Sequence, residues 1–269
     1  MKQKLAACTK EKKALLAVNF YNFETLKGLL LAAKAMDSPL ILQLSESSLQ
    51  YLGVDPAVAM ARAMLKEFGV EGWLHLDHGS SIDVVKKCLE AGFDSVMIDA
   101  SEQPFDENVR ITREAVKIAA GYDANVEAEL GYVAKLGQEQ QAEPTSAADA
   151  KRFTEATGID ALAIAIGNAH GFYKEAPNLR IDRLKDIRAV TSCALVLHGS
   201  SGIPDAQLQD AIRSGISKIN LATETKNTFM KKLQSLLADS DEIDLRKVFP
   251  KAIAEVQQLI TKKLTAINI

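Results

Sequence analysis

The chain has 269 residues, 47% of them hydrophobic and 25% charged, and 32 Lys and Arg against 35 Asp and Glu give a formal net charge of −3. That balance fits one large soluble α/β domain, residues 1–269, with enough apolar material for a sizeable core. It offers no basic face for a nucleic acid and no block of like charge, and no run reaches the roughly 18 apolar residues of a membrane span.

The opening MKQKLAACTKEKK lacks the apolar stretch of a signal peptide, so a cytoplasmic location is expected. Short apolar runs follow, each bounded by turn residues and separated by helical patterns. ALLAVNF (14–20) precedes FETLKGLLLAAKAM (23–36), and PLILQL (39–44) precedes DPAVAMARAMLKEFG (55–69). GWLHLD (72–77) and DSVMID (94–99) lead to the helical DENVRITREAVKIAAG (106–121), and NVEAEL (125–130) leads to SAADAKRFTEATG (146–158). DALAIAIG (160–167), ALVLHG (194–199) and SKINLA (217–222) complete eight strand-like runs. Helices are predicted near Pro204, from Thr223, and over about 246–265, the last packing outside or against a partner subunit. Near-continuous apolar strands suit parallel strands covered on both faces. Eight alternations predict a (β/α)8 barrel. A doubly wound sheet is the runner-up, but no G-x-G-x-x-G follows the first strand and no Walker loop is present. The three cysteines, Cys8, Cys88 and Cys193, are far apart and read as reduced thiols.

Active sites of such barrels lie at the C-terminal ends of the strands, and here those ends carry the polar chemistry. In order they offer Asn19 and Asn22; Ser45 to Ser48; Asp77 and His78; Asp99 and Ser101; Glu127 and Glu129; Asn168 and His170; His198, Ser200 and Ser201; Asn220, Thr223 and Glu224. One histidine at a strand end would be read as a capping or core residue. Three of the chain's four, His78, His170 and His198, fall past strands three, six and seven, each followed by Gly. Three neutral imidazoles with an open fourth position make a catalytic Zn²⁺ site. His75, inside its strand, reads as a packed residue or a support to the site.

HGSSGIP (198–204) and NLATE (220–224) leave strands seven and eight and enter helices, the usual phosphate-binding place of this fold. Gly199, Ser200, Ser201 and the backbone of Asn220, Leu221, Ala222 and Thr223 are its candidate donors. Glu127 and Glu129 share one strand face. If that face is the barrel interior, they need a cation or a histidine as partner; otherwise they face the helix layer or a structural lysine such as Lys218.

Taken together, LHLDHGSS, SVMIDAS, VEAELG, AIGNAHG, LVLHGSSGIP and KINLATE resemble the successive motifs of the class II, metal-dependent ketose-bisphosphate aldolases, over about residues 14 to 260. The resemblance implies reversible aldol cleavage of a ketose 1,6-bisphosphate, fructose 1,6-bisphosphate in the first place, to dihydroxyacetone phosphate and glyceraldehyde 3-phosphate through a metal-stabilised enediolate. It makes His78, His170 and His198 zinc ligands, and Glu129 a residue for an alternative metal position. Asp77 becomes the catalytic proton carrier. Gly171, the stretch Gly199 to Ser201, and Asn220 to Thr223 become the holders of dihydroxyacetone phosphate. One Zn²⁺ per chain, a monovalent cation (Na⁺ or K⁺) at the phosphate loops, and a homodimer or homotetramer are likewise implied. NLATE is closer to the tagatose-bisphosphate members, and deoxy-gluconate phosphate enzymes share LDHGSS, so those substrates are the alternatives.

The sequence departs from the family pattern in two places. VEAELG continues as YVAKLGQEQQAEPTS, without the usual double glycine. Glu139, and after it Glu143, is the candidate for the loop glutamate that moves the dihydroxyacetone phosphate proton. The final KKLTAINI lacks the Gly- and Arg-containing tail of relatives, which leaves Ser45, Ser47 and Ser48 as candidates for the second phosphate. Two rival readings are weaker. A metal hydrolase on this barrel would carry H-x-H on strand one, which here reads AVNFYN, and a non-catalytic aldolase-like subunit would not need the His, His, His and Asp set.

Overall fold

The computed structural model describes residues 1–131, 133, 144–173 and 177–269. Its eight strands are β1 (Leu15–Asn19), β2 (Leu40–Ser45), β3 (Gly72–Gly79), β4 (Ser95–Ile98), β5 (Asn125–Leu130), β6 (Ala161–Ile164), β7 (Ala194–Leu197) and β8 (Ile216–Leu221). They run parallel in sequence order around a closed barrel, and β8 seals against β1 with Leu16 opposite Ile219. Around them lie α1 (Lys2–Glu11), α2 (Phe23–Ala35), α3 (Glu46–Leu52), α4 (Val54–Phe68), α5 (Ile82–Glu90) and α6 (Phe105–Ala119). The circuit continues with α7 (Ala147–Thr157), α8 (Ile181–Val190), α9 (Asp205–Arg213), α10 (Thr223–Leu237) and α11 (Leu245–Ile267). This is the (β/α)8 barrel that the alternation predicts.

Local chemistry sets the element ends. Asn22 Oδ1 accepts from Thr25 N at 2.9 Å while Thr25 Oγ1 accepts from Asn22 N at 3.2 Å, a reciprocal cap that starts α2. Ser81 and Ser146 cap α5 and α7. α4 and α7 stop on Gly69 and Gly158, both left-handed. Gly121 does not play that part: α6 ends two residues earlier and passes into a short 3₁₀ turn.

Four helices, α1, α3, α5 and α8, are absent from the sequence reading. α1 buries only Leu5 and Cys8, a stripe too thin to show as a periodic pattern. It plugs the N-terminal end of the barrel, where those two side chains meet Leu15, Ala17, Ile41, Met97, Ala161, Ala163, Ala194 and Val196.

Alternation along each strand sorts the side chains. Leu16, Val18, Leu40, Leu42, Leu74 and Leu76 join the apolar layer shared with the helices. Their neighbours form tiers inside the barrel. Above the apolar floor, Gln43, His75, Ser95, Asn125, Glu127 and Lys218 are all buried, and Asn19, Asp77, Glu129, His198 and Asn220 come next. Among the described residues no helix is long and apolar enough to cross a membrane.

Candidate active site at the mouth of the barrel

β3 delivers two adjacent side chains to one place. Successive strand residues point to opposite faces, so Asp77 and His78 would ordinarily part company. A bulge prevents this. Between the pairs Leu76–Val96 and Gly79–Ile98, β3 has Asp77 and His78 where β4 has Met97 alone. His78 takes φ 52°, in the left-handed region, at a local cost of about 1–2 kcal/mol. Gly79 follows because a Cβ there would lie 2.7 Å from Met97 O.

The three histidines, one in the bulge of β3 and two past β6 and β7, meet. Ring centroids lie 5.0 Å apart for His78 and His170, 4.7 Å for His78 and His198, and 5.7 Å for His170 and His198. One ligand atom from each, and one from Glu129, all fall within 4.8 Å of one another. Asn168 Nδ2 donates to His198 O at 3.2 Å, and Tyr173 Oη accepts from Ala169 N at 2.7 Å and donates to Gly199 O at 2.9 Å. These bonds tie the loop carrying His170 to the loop carrying His198. Gly199 is required at the crossing, since a Cβ would come within 2.1 Å of Ala169 O.

Two of these imidazoles, His78 and His198, have partners that set the free nitrogen. His78 Nδ1 lies 2.6 Å from Asp99 Oδ2, which leaves Nε2 toward the cluster. Asp99 is steadied by Ser101 N at 3.1 Å and Ser101 Oγ at 2.7 Å. His198 Nε2 lies 2.9 Å from Glu127 Oε1, and its Nδ1 lies 3.0 Å from His78 Nε2. Burial disfavours charge on His78, but the carboxylate of Asp77, then Asp99, outweighs it and raises the pKa to about 10. Burial and the neighbouring His78 hold His198 well below the usual imidazole range. Burial, reinforced by Asp99, pushes Glu129 up to about 8. Its Oε1 accepts from Val133 N at 3.0 Å, while Oε2 is buried without a hydrogen-bond partner. Three imidazoles and a carboxylate oxygen with no partner form a donor set that fits a divalent ion such as zinc.

Asp77 sits against this cluster, with Oδ1 4.0 Å from His78 Nε2. Two amides hold its carboxylate: Asn19 Nδ2 donates to Oδ2 at 2.8 Å and Asn220 Nδ2 to Oδ1 at 3.3 Å. Gln43 Nε2 in turn donates to Asn19 Oδ1 at 3.0 Å. Burial opposes ionisation of Asp77, but the charge of His78 and the Asn19 hydrogen bond lower its pKa.

Asn19, Asp77, His78, His170, Gly171, His198, Gly199, Ser201, Asn220, Ala222 and Thr223 line one cleft. Most residues expected at the site therefore share it. Ser200 and Leu221 turn away: Ser200 Oγ donates to Asn220 O at 2.6 Å, and Leu221 is buried in the outer apolar layer. Ser45, Ser47 and Ser48 bond to one another, with Ser45 capping α3. Glu139 and Glu143 lie outside the described residues. Sequence reasoning named Asp99 only as a strand-end residue and missed its part as partner of His78. Tyr173 was missed altogether, and only its position three residues past His170 hints at it.

The fold and the cluster define a (β/α)8 barrel with a candidate metal centre at its catalytic end. The family model for fructose-bisphosphate aldolase class-II matches residues 1–269, and the chain belongs to that family. It is accordingly an aldolase, a lyase. A protein named fructose-bisphosphate aldolase from Geobacillus stearothermophilus is 42% identical over 255 residues, 92% of this chain and 89% of that one. The crystal structure of the YdjI aldolase from Escherichia coli K12 is similar at TM-score 0.87 and 31% identity, over 100% of this chain and 96% of that one. The fructose-bisphosphate aldolase of Campylobacter jejuni, 21% identical over 99% and 93% of the two chains, shares the fold at TM-score 0.85.

Proposed function

We propose that the chain reversibly cleaves the C3–C4 bond of a ketose 1,6-bisphosphate, with fructose 1,6-bisphosphate favoured, to dihydroxyacetone phosphate and glyceraldehyde 3-phosphate. The observation that carries this is the carboxylate of Asp77, oriented by two amides against three converging imidazoles. The name of the Geobacillus relative supports the choice of sugar. His78, His170 and His198 would hold Zn²⁺, with Glu129 as an alternative ligand. When bound, the ion supplies a Lewis acid for the oxygens of the ketose.

The remaining steps belong to the protein. Asp77, ionised in place, accepts the proton of the C4 hydroxyl as the aldehyde forms. The electron pair of the C3–C4 bond passes to the C1–C3 fragment, which is then protonated at C3 to give dihydroxyacetone phosphate; Glu139, and after it Glu143, is proposed for that transfer. In condensation Asp77 returns its proton to the new C4 oxygen. Gly171, Gly199, Ser201 and the 220–223 turn, at the start of the 15-residue α10, would hold the phosphate with backbone N–H groups, with Na⁺ or K⁺ beside the same loops.

The proposal extends to residues 1–269 acting as one domain of a cytoplasmic homodimer or homotetramer. Three free cysteines support a reducing compartment, and exposed Met230, Leu237, Ile243 and Leu245 support a partner surface. The test is triose release by the zinc-loaded chain from fructose and tagatose bisphosphates side by side. Faster release from the fructose substrate, lost on chelation and restored by Zn²⁺, is expected. Undiminished cleavage after complete metal removal, or ester hydrolysis without triose, would overturn the proposal.

A further inference from the structure

Beneath the cluster lies an ion pair that the proton chemistry above does not use. Lys218 on β8 and Glu127 on β5 are fully buried inside the barrel, with Nζ 2.8 Å from Oε2. Such interiors are normally filled by branched apolar side chains. A buried ion pair adds little stability over an apolar pair of similar volume. The position of this one is informative because the other oxygen of Glu127, Oε1, lies 2.9 Å from His198 Nε2.

A neutral imidazole has one N–H and one lone pair, and an ionised carboxylate only accepts. Glu127 therefore fixes the His198 proton on Nε2 and leaves the lone pair on Nδ1. That atom is the one facing His78 Nε2, at 3.0 Å. Asn220 Nδ2, 3.1 Å from the same Nε2, is a donor and cannot replace Glu127 as acceptor. Lys218 engages Oε2 and so fixes which oxygen His198 meets. The lysine is itself anchored, with Nζ 3.3 Å from His75 Nε2, while His75 Nδ1 lies 2.7 Å from Ser95 Oγ. The chain of contacts runs from β4 through β3, β8 and β5 to β7.

We propose that Glu127 is a positioning residue: its side-chain acceptor, itself steadied by Lys218, locks the ring of His198 with Nδ1 presented to the metal cluster. The inference rests on the metal-centre reading given above. It makes the acceptor at residue 127, and not the charge of the pair, the quantity that metal affinity follows.

Two double variants isolate that quantity. Glu127→Leu with Lys218→Met removes charge and acceptor together. Glu127→Gln with Lys218→Met is equally neutral and similar in size but keeps an acceptor oxygen. Zn²⁺ affinity is read by competition with a chromophoric chelator, with the thermal midpoint of each metal-free protein as fold control. The Leu variant is expected to bind Zn²⁺ about 10–100-fold more weakly than the parent, the usual effect of losing a ligand's hydrogen-bond partner. The Gln variant is expected to recover most of that loss. A Leu variant that binds as tightly as the parent, or Leu and Gln variants of equal affinity, would overturn the inference. Should the Leu variant not fold, ¹⁵N-histidine NMR of the zinc-loaded parent decides. His198 bound through Nδ1 with its proton on Nε2 supports the inference, and coordination through Nε2 overturns it. A parent that binds no Zn²⁺ defeats the functional proposal and this inference together, whereas a zinc-dependent parent matched by its Leu variant defeats the inference alone.

Discussion

Asp77 and His78 are adjacent in sequence but divide the work of the site between them. The bulge in β3 brings both to the mouth, and their partners differ: amides from Asn19 and Asn220 for the carboxylate, Asp99 for the imidazole. Loss of either should therefore be separable. Asp77→Ala is expected to keep the bound metal and lower kcat by about 10²–10⁴-fold, the usual range for a positioned proton-transfer group. His198→Ala should instead lower the metal content, since one of the three imidazoles that hold the ion is gone. Metal analysis beside steady-state kinetics checks both, and a His198→Ala protein with full metal content contradicts the account. The pair D-H could be seen in the sequence as strand-end chemistry. That a strand could aim both residues at one point could not, because the bulge depends on the register with β4. Asp99 was passed over for a related reason: its value comes from lying 2.6 Å from a ring 21 residues earlier.

At the scale of elements, the alternating pattern made β1 to β8 readable because each is a short apolar run with turn residues around it. Helices were readable in proportion to their apolar stripe. α2 and α4 bury several side chains each, whereas α1 buries two and left no pattern. The close packing of α2 on α11 was not visible at all, since it depends on the absence of a side chain. A Cβ on Gly28 would lie 2.7 Å from Val256 Cγ1 and 3.1 Å from Ile253 O. Gly28→Ala would gain about 0.5–1 kcal/mol of helix propensity but overpack a tight contact at about 1–3 kcal/mol. Overpacking wins, so a net loss of roughly 1–2 kcal/mol is expected by urea denaturation. Val256→Ala in the same chain should relieve much of it; a Gly28→Ala protein as stable as the parent would show that α11 yields easily.

Over the whole molecule, the barrel is layered along its axis. An apolar floor under α1 gives way to a buried polar tier, and that tier supports the histidine cluster. The fold and the histidine set were legible because they repeat or stand out in sequence. The supporting tier was legible only in part: His75, Glu127 and Lys218 stood out singly, but how they pair did not, since Gln43, His75, Glu127 and Lys218 come from four strands and meet only in the closed barrel. An ion held by side chains from three separate stretches of the chain should also bind the folded form alone. At a free concentration of about 1,000 times Kd, it would stabilise the fold by roughly 4 kcal/mol, or about 8–16 °C in Tm at 2–4 °C per kcal/mol for chains of this size. Calorimetry with and without chelator measures this, and an unchanged Tm would place the ion outside the fold's energetics.

The most direct test of the central claim is anomalous diffraction at the zinc edge from crystals of the zinc-loaded protein. One peak per chain is expected, about 2.0–2.1 Å from a nitrogen of each of His78, His170 and His198. A peak elsewhere, or one touching fewer than three of those rings with Glu129 also unengaged, would contradict the claim.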